Sequence, residues 1–270
     1  MSSTRLGAAP SKLTRTVILL VVGVLFLIPI AAMVEFSLRT GPPGVYGVDH
    51  WTGILDPENA RPYRPLFQGV TNSLVLAAVT VAIVVLVLLP TMLLVKLRLP
   101  RLERVLEFVC LIPITVPAIV LVVGLAPVYS VVTRVFGSST WTLAFAYGIT
   151  VLPYAYRALH SSMSAVPLVT LAEAARTLGA GWVGLTLRVL VPNIRRGVLA
   201  AAFISIAVVL GEFTIASLLN RDNLQTALVQ VNQTDPYVAI IFALLALAFA
   251  FVLLVVIGRA GARAAHRRTP

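Results

Sequence analysis

The chain has 270 residues, of which 59% are hydrophobic and only 11% charged, against roughly 25% charged in ordinary soluble domains. A mean hydropathy of +0.97 excludes a soluble globular fold, whose exterior must face water. The net charge of +11 would point to nucleic acid in a soluble protein, but the placement of the charges makes it a topology signal and excludes that partner.

A bilayer core needs roughly 20 apolar residues of helix to cross it. Six runs meet or approach that length. Residues 17–34 form an apolar run of 18 with Pro29 near its end. The run is longer than a secretory core of roughly 7–15 residues, and although Ala31 and Ala32 offer small residues, there is no clean cleavage pattern. It reads as an uncleaved anchor. Residues 74–95 are interrupted by Thr80, Pro90 and Thr91, and residues 105–132 by Pro113, Pro117 and Pro127. Residues 140–159 are weaker, carrying Tyr147, Pro153, Tyr154, Tyr156 and Arg157. Residues 197–219 and 237–257 complete the set. The expectation is an all-α polytopic bundle of six transmembrane helices: a tail at 1–15, a membrane domain at 16–258 and a basic tail at 259–270.

Orientation follows from Lys and Arg. Arg5, Lys12 and Arg15 precede span one. Lys96, Arg98, Arg101 and Arg104 lie between spans two and three. Arg157, Arg176, Arg188, Arg195 and Arg196 lie around the fourth loop, and Arg259, Arg263, Arg267 and Arg268 follow span six. That places 16 of 21 basic residues on one side, leaving Arg39, Arg61, Arg64, Arg134 and Arg221 on the other. Both termini are therefore expected in the cytoplasm of a multi-pass protein of the cell membrane. The outer loop at 39–69 is rich in Pro and Gly and carries Asp49, Asp56 and Glu58.

The single cysteine, Cys110, excludes an intrachain disulfide. His50, His160 and His266 have no metal-site spacing. Both lysines, Lys12 and Lys96, precede leucine, so the Gly-Lys-Ser/Thr of a phosphate-binding loop is missing. Neither a His-Glu-x-x-His zinc motif nor a Gly-x-Ser-x-Gly nucleophile turn is present.

The fourth loop, 160–196, is long for a connection in a compact fold. It reads Glu173-Ala174-Ala175, three residues, Gly179, nine residues, Val189, one residue, Val191-Pro192. Pro167 suits a first helical turn. Leu168, Leu171, Ala175 and Leu178 then form one apolar stripe, and Gly179 can end the helix in the left-handed conformation. A second short helix is expected to run to Val191 and close at Pro192. The bland alternative is a capping box between Thr170 and Glu173.

This register resembles the cytoplasmic EAA signature of ATP-binding-cassette importer permeases, with Val189 standing for Ile and Val191 for Leu. Asn72-Ser73-Leu74, Pro113-x-x-x-Pro117 and Gly211-Glu212-Phe213 add to the likeness, which extends over residues 69–257. The resemblance implies a permease with no chemistry of its own. Its loop docks into a groove on a separate ATPase dimer, which binds the ATP and magnesium. A second permease, expected to be a different chain, and an extracytoplasmic solute-binding protein complete the assembly in the lipid bilayer. Among such importers the chain looks most like the polyamine type, with 2-aminoethylphosphonate, ferric iron and thiamine relatives similar. Sugar, amino-acid and peptide importers share the loop. A channel or secondary transporter is expected to show more intramembrane charge or repeated halves.

One acid lies inside a predicted span. Glu212, about sixteen residues into span five, costs roughly 2.5–3.5 kcal/mol at a helix centre. Three roles are open to it: contact with a cationic substrate, a place on the path without contact, or a structural pair with a tyrosine or backbone groups of spans three or four. Asn72, Tyr129, Tyr154, Ser205 and Thr214 are candidates for the polar path, and each has the alternative of a helix–helix hydrogen bond. Glu35 reads as interfacial, and Glu103 and Glu107 as a local network with Arg101 and Arg104.

Overall fold

The computed structural model describes residues 11–41, 44–56 and 61–266, with side chains through Arg259. Arg5, Glu58, Arg267, Arg268 and the side chains of Arg263 and His266 lie outside the described residues. The fold is all-α; among the described residues the β pairing is an isolated bridge between Arg39 and Tyr46. In chain order the helices are α1 (Lys12–Ser37), α2 (Asp49–Gly53), α3 (Arg61–Arg98), α4 (Glu103–Leu111), α5 (Ala118–Phe136), α6 (Ala144–Ser164), α7 (Leu168–Thr177), α8 (Trp182–Gly211), α9 (Thr214–Leu218), α10 (Leu224–Asn232) and α11 (Pro236–His266). Five of them, α1, α3, α5, α8 and α11, are long and apolar enough to cross a membrane.

The expected fourth span, α6, has 21 residues but is not among those five. Its position explains why. Tyr147, Val151, Ala155 and Leu159 are fully buried, so α6 is the inner helix and meets protein rather than lipid. α1 is its opposite, exposed from Val17 to Ile28 and packed against α11 through Phe36, which stacks on Tyr237 at 4.8 Å.

Prolines shape the spans unequally. The run 105–132 is not one helix. Pro113 sits in a 3-10 turn, Ile112–Thr115, and Val116 is extended (φ −100°, ψ 122°), because a residue before proline is pushed out of the α region. Pro127 stays within α5. Two other prolines are carried through unbroken helices by π turns: Val84–Leu88 precedes Pro90, and Leu185–Leu190 precedes Pro192. A π turn offers the backbone groups around a missing N–H another pairing register.

The expected span 197–219 is also interrupted. α8 stops at Gly211, Glu212 is extended (φ −90°, ψ 123°), and α9 starts afresh at Thr214. Beyond it, the stretch expected to be a loop contains α10, whose Asn223 and Thr226 form a reciprocal capping box. α11 is started by Asp235, whose carboxylate accepts from the backbone N–H groups of Tyr237 and Val238 at 3.1 Å each.

The core has three parts. At one end Leu93, Leu159, Leu168, Leu185 and Ile194 bind α7 and the π turn to α3 and α6. Leu76, Tyr147, Val209 and Ile215 fill the middle. Leu66, Leu224 and Ile241 close the other end. Close helix approaches depend on two glycines: a methyl on Gly197 would lie 2.3 Å from Ser162 Cβ, and one on Gly69 would lie 2.7 Å from the Asn223 carbonyl. Small residues at such crossings let helices pack without a hydrophobic drive.

Candidate functional site

The loop between α6 and α8 is built as a helix, a glycine turn and a second helical entry. α7 starts after Pro167, its N-cap, so Thr170 lies inside the helix and the capping-box alternative fails. The helix ends in a Schellman motif: Ala180 N–H donates to the Ala175 carbonyl (3.0 Å) and Gly179 N–H to that of Arg176 (2.9 Å). Gly179 has φ +84°, the left-handed value this motif requires.

One face of α7 is held down by Leu168, Ala172 and Ala175, all buried. The other presents Glu173 and Ala174 to the exterior. Leu178 does not continue the buried stripe. It lies beyond the end of the helix and is 89% exposed, joined at the surface by Val169, Val183 and Leu187. The Arg176 guanidinium lies over the Trp182 ring at 6.0 Å, tying the two limbs together. Pro192 does not close a second helix. Val189 lies in the π turn, and Val191 and Pro192 open the α-helical part of α8, which continues from Trp182 to Gly211. The Asn193 side-chain amide donates to the Val189 carbonyl at 2.7 Å.

Midway along the bundle, the broken end of α8 is held by side chains instead of backbone. Within a bilayer every backbone polar group needs a partner in the protein. The Leu210 carbonyl receives the Gln225 amide and the Glu212 carbonyl the Asn223 amide, each at 2.7 Å. On the other side of the break, the Glu212 carboxylate accepts from Ile215 N–H at 2.9 and 3.1 Å and so caps α9. The Tyr147 phenol donates to the same carboxylate at 2.7 Å, and the Asn223 amide also reaches that phenol at 3.3 Å.

Glu212 also lines a cavity of about 240 Å3 with Thr150, Tyr154, Val116 and Val208. A carboxylate offers about four acceptor positions. The bonds from Tyr147 and Ile215 leave capacity for a donor in that cavity.

Of the path candidates, Glu212 and Tyr154 share this cavity. The others are not among its lining residues. Tyr129 is buried, donating to the Thr142 carbonyl and accepting from Ala146 N–H, both at 3.0 Å. Ser205 donates to the Ala201 carbonyl at 2.7 Å within its own helix. The Asn72 amide donates to the Asp222 carbonyl at 2.8 Å. Thr214 is the first residue of α9, beside Glu212. The tyrosine partner that spans three or four were expected to offer Glu212 is Tyr147; Asn223 is not among the residues expected from the sequence. The Asn-x-x-Thr capping spacing at 223–226 was the available signal. Glu35, near the end of α1, accepts from Arg39 and from the Tyr46 hydroxyl at 2.9 Å each. Glu103 instead pairs with Lys96 at 2.8 Å, because the turn at Pro100–Leu102 folds α4 back beside the end of α3.

The family model described as "Binding-protein-dependent transport system inner membrane component" matches residues 92–269, about two thirds of the chain. The chain belongs to that family. It is an inner-membrane permease subunit of an ABC transporter, with the type I importer permease fold. Permeases of this family work with an ATPase and a solute-binding protein and are not themselves enzymes. No curated protein matches the permease.

Proposed function

We propose that this permease forms the translocation path for a small cationic or amine-bearing solute and takes its driving motion from a separate ATPase dimer through the loop around Glu173–Gly179. The observation that carries the substrate class is the Glu212 carboxylate on the wall of the cavity shared with Tyr154. A carboxylate with spare acceptor positions beside an aromatic ring favours a cation. Polyamines lead the candidates, with 2-aminoethylphosphonate, ferric iron and thiamine behind them.

The coupling reading draws support from the exposed face of α7 and the apolar tip at Leu178, a surface suited to helix-in-groove docking. Glu173, Ala174, Ala175 and Gly179 belong to the docking element. Val189, Val191 and Pro192 carry its movement into α8. In this reading the loop and both termini are cytoplasmic, the tails lie at 1–15 and 259–270, and the second permease is a different chain. ATP and magnesium are bound by the ATPase. Moving the path from 1:99 to 99:1 requires about 5.5 kcal/mol of differential binding, with ATP and a loaded binding protein as sources.

A structural role for Glu212 has its own support in the bonds from Tyr147 and Ile215. The deciding experiment presents the cognate binding protein, loaded in turn with spermidine, 2-aminoethylphosphonate, thiamine and ferric iron, to the assembled transporter in vesicles. One of these is expected to stimulate ATP hydrolysis. Stimulation by a neutral sugar or an acidic solute alone would refute the cationic reading.

A further inference from the structure

Outside the Glu212 cavity, at the end of the bundle that carries the α7 loop, α8 and α11 leave a groove of about 510 Å3 between them. From α8 it takes Arg196, Ala200, Phe203 and Ile204, and from α11 Leu254 and Gly258. The spacings are i, i+4, i+7 and i+8 on one helix and i, i+4 on the other, so each set lies on one helix face. Small residues make the hollow: a methyl built on Gly258 would meet nothing within 4 Å. Among the described residues Arg196 is the one charged residue that lines the groove, and it lies at the end nearest the loop. Arg259, exposed, follows Gly258 at the same level.

The dimensions match a lipid leaflet. From Arg196 to Ile204 the wall is about 12 Å long at 1.5 Å per residue, close to half of a hydrocarbon core about 30 Å thick. A guanidinium at the interface above an apolar trough complements a molecule with an anionic head and a hydrocarbon chain. Arginine binds phosphate oxygens bidentately, and basic pockets between transmembrane helices are the usual sites for acidic lipid headgroups. We infer that this groove binds an anionic phospholipid, with the phosphate on Arg196 and one acyl chain between α8 and α11. Arg196 lies on the same continuous helix as the π turn at the base of the loop, so the bound lipid braces that base. The inference does not depend on the identity of the transported solute.

The test uses the assembled transporter in nanodiscs of phosphatidylcholine containing a minor fraction of phosphatidylglycerol with a photoreactive acyl chain. Cross-links are expected on the facing walls of α8 and α11. Arg196→Gln is expected to lower labelling about fivefold, the weight of one arginine near an anionic headgroup. Ala200→Leu and Gly258→Leu, which fill the trough, should lower it with Arg196 intact. Arg101→Gln, which removes an exposed cation outside the groove, should leave it unchanged. Equal labelling of the wild type and Arg196→Gln, or an equal loss in Arg101→Gln, would overturn the proposal. So would disulfide capture of Ala200→Cys by the second permease, since protein would then cover the groove.

Discussion

The Tyr147 phenol, on the inner helix α6, donates a 2.7 Å hydrogen bond to the carboxylate of Glu212, 65 residues further along the chain. The pair joins the most buried helix of the bundle to the point where α8 breaks. It also places a carboxylate at the wall of a cavity without leaving either group unsatisfied.

Glu212→Gln tests the use of that charge. Glutamine retains a carbonyl oxygen for Ile215 N–H and nearly the same shape, so the assembled complex is expected at normal yield while uptake and substrate-stimulated ATP hydrolysis fall. Tyr147→Phe removes a hydrogen bond to a charged group and is expected to lower stability by about 1.5–3 kcal/mol, measured as the melting temperature of the purified complex. A loss of complex in Glu212→Gln that matches its loss of transport would show the carboxylate to be structural.

Gly179 and Glu173 test the loop. At φ +84° any residue with a Cβ pays roughly 1–2 kcal/mol, and proline cannot adopt that φ at all. Gly179→Pro and Glu173→Arg are expected to insert normally, yet to lose both co-purification of the ATPase and uptake. Full docking and uptake in both variants would end the coupling proposal.

Orientation is checked by labelling. With Cys110, buried at 2% exposure, replaced by alanine, Asp56→Cys is expected to react with an impermeant thiol reagent from outside the cell. Thr177→Cys is expected to react only after the membrane is opened. The reverse pattern would invert the topology and remove the loop from the ATPase.

Helix packing makes a fourth prediction. Gly197→Ala forces a methyl to within 2.3 Å of Ser162 Cβ, and overpacking of this kind costs about 1–3 kcal/mol. Gly124, on α5, has open space where a Cβ would go, and Gly124→Ala is expected to leave the melting temperature unchanged or slightly raised. Equal effects at the two positions would mean that α6 and α8 are not in close contact.

By itself the sequence determined the membrane class, five of the helices that cross and the register of the loop signature. These rest on local quantities: run length, apolar content, and the spacing of Glu173, Gly179 and Pro192. It also marked the proline breaks, since Pro113 and Pro117 act on their immediate neighbours. The tertiary structure alone decided which prolines are tolerated, why α6 is polar enough to fall below the hydropathy of a lipid-facing span, and where α8 ends. The local contact at the break, Ile215 N–H to the Glu212 carboxylate, serves the start of α9 and does nothing for the carbonyls at the end of α8. The break is stable because Asn223, Gln225 and Tyr147 bring hydrogen bonds from other elements to groups that would be unpaired in lipid. A local pattern cannot report such partners, because their proximity exists only once the helices have packed.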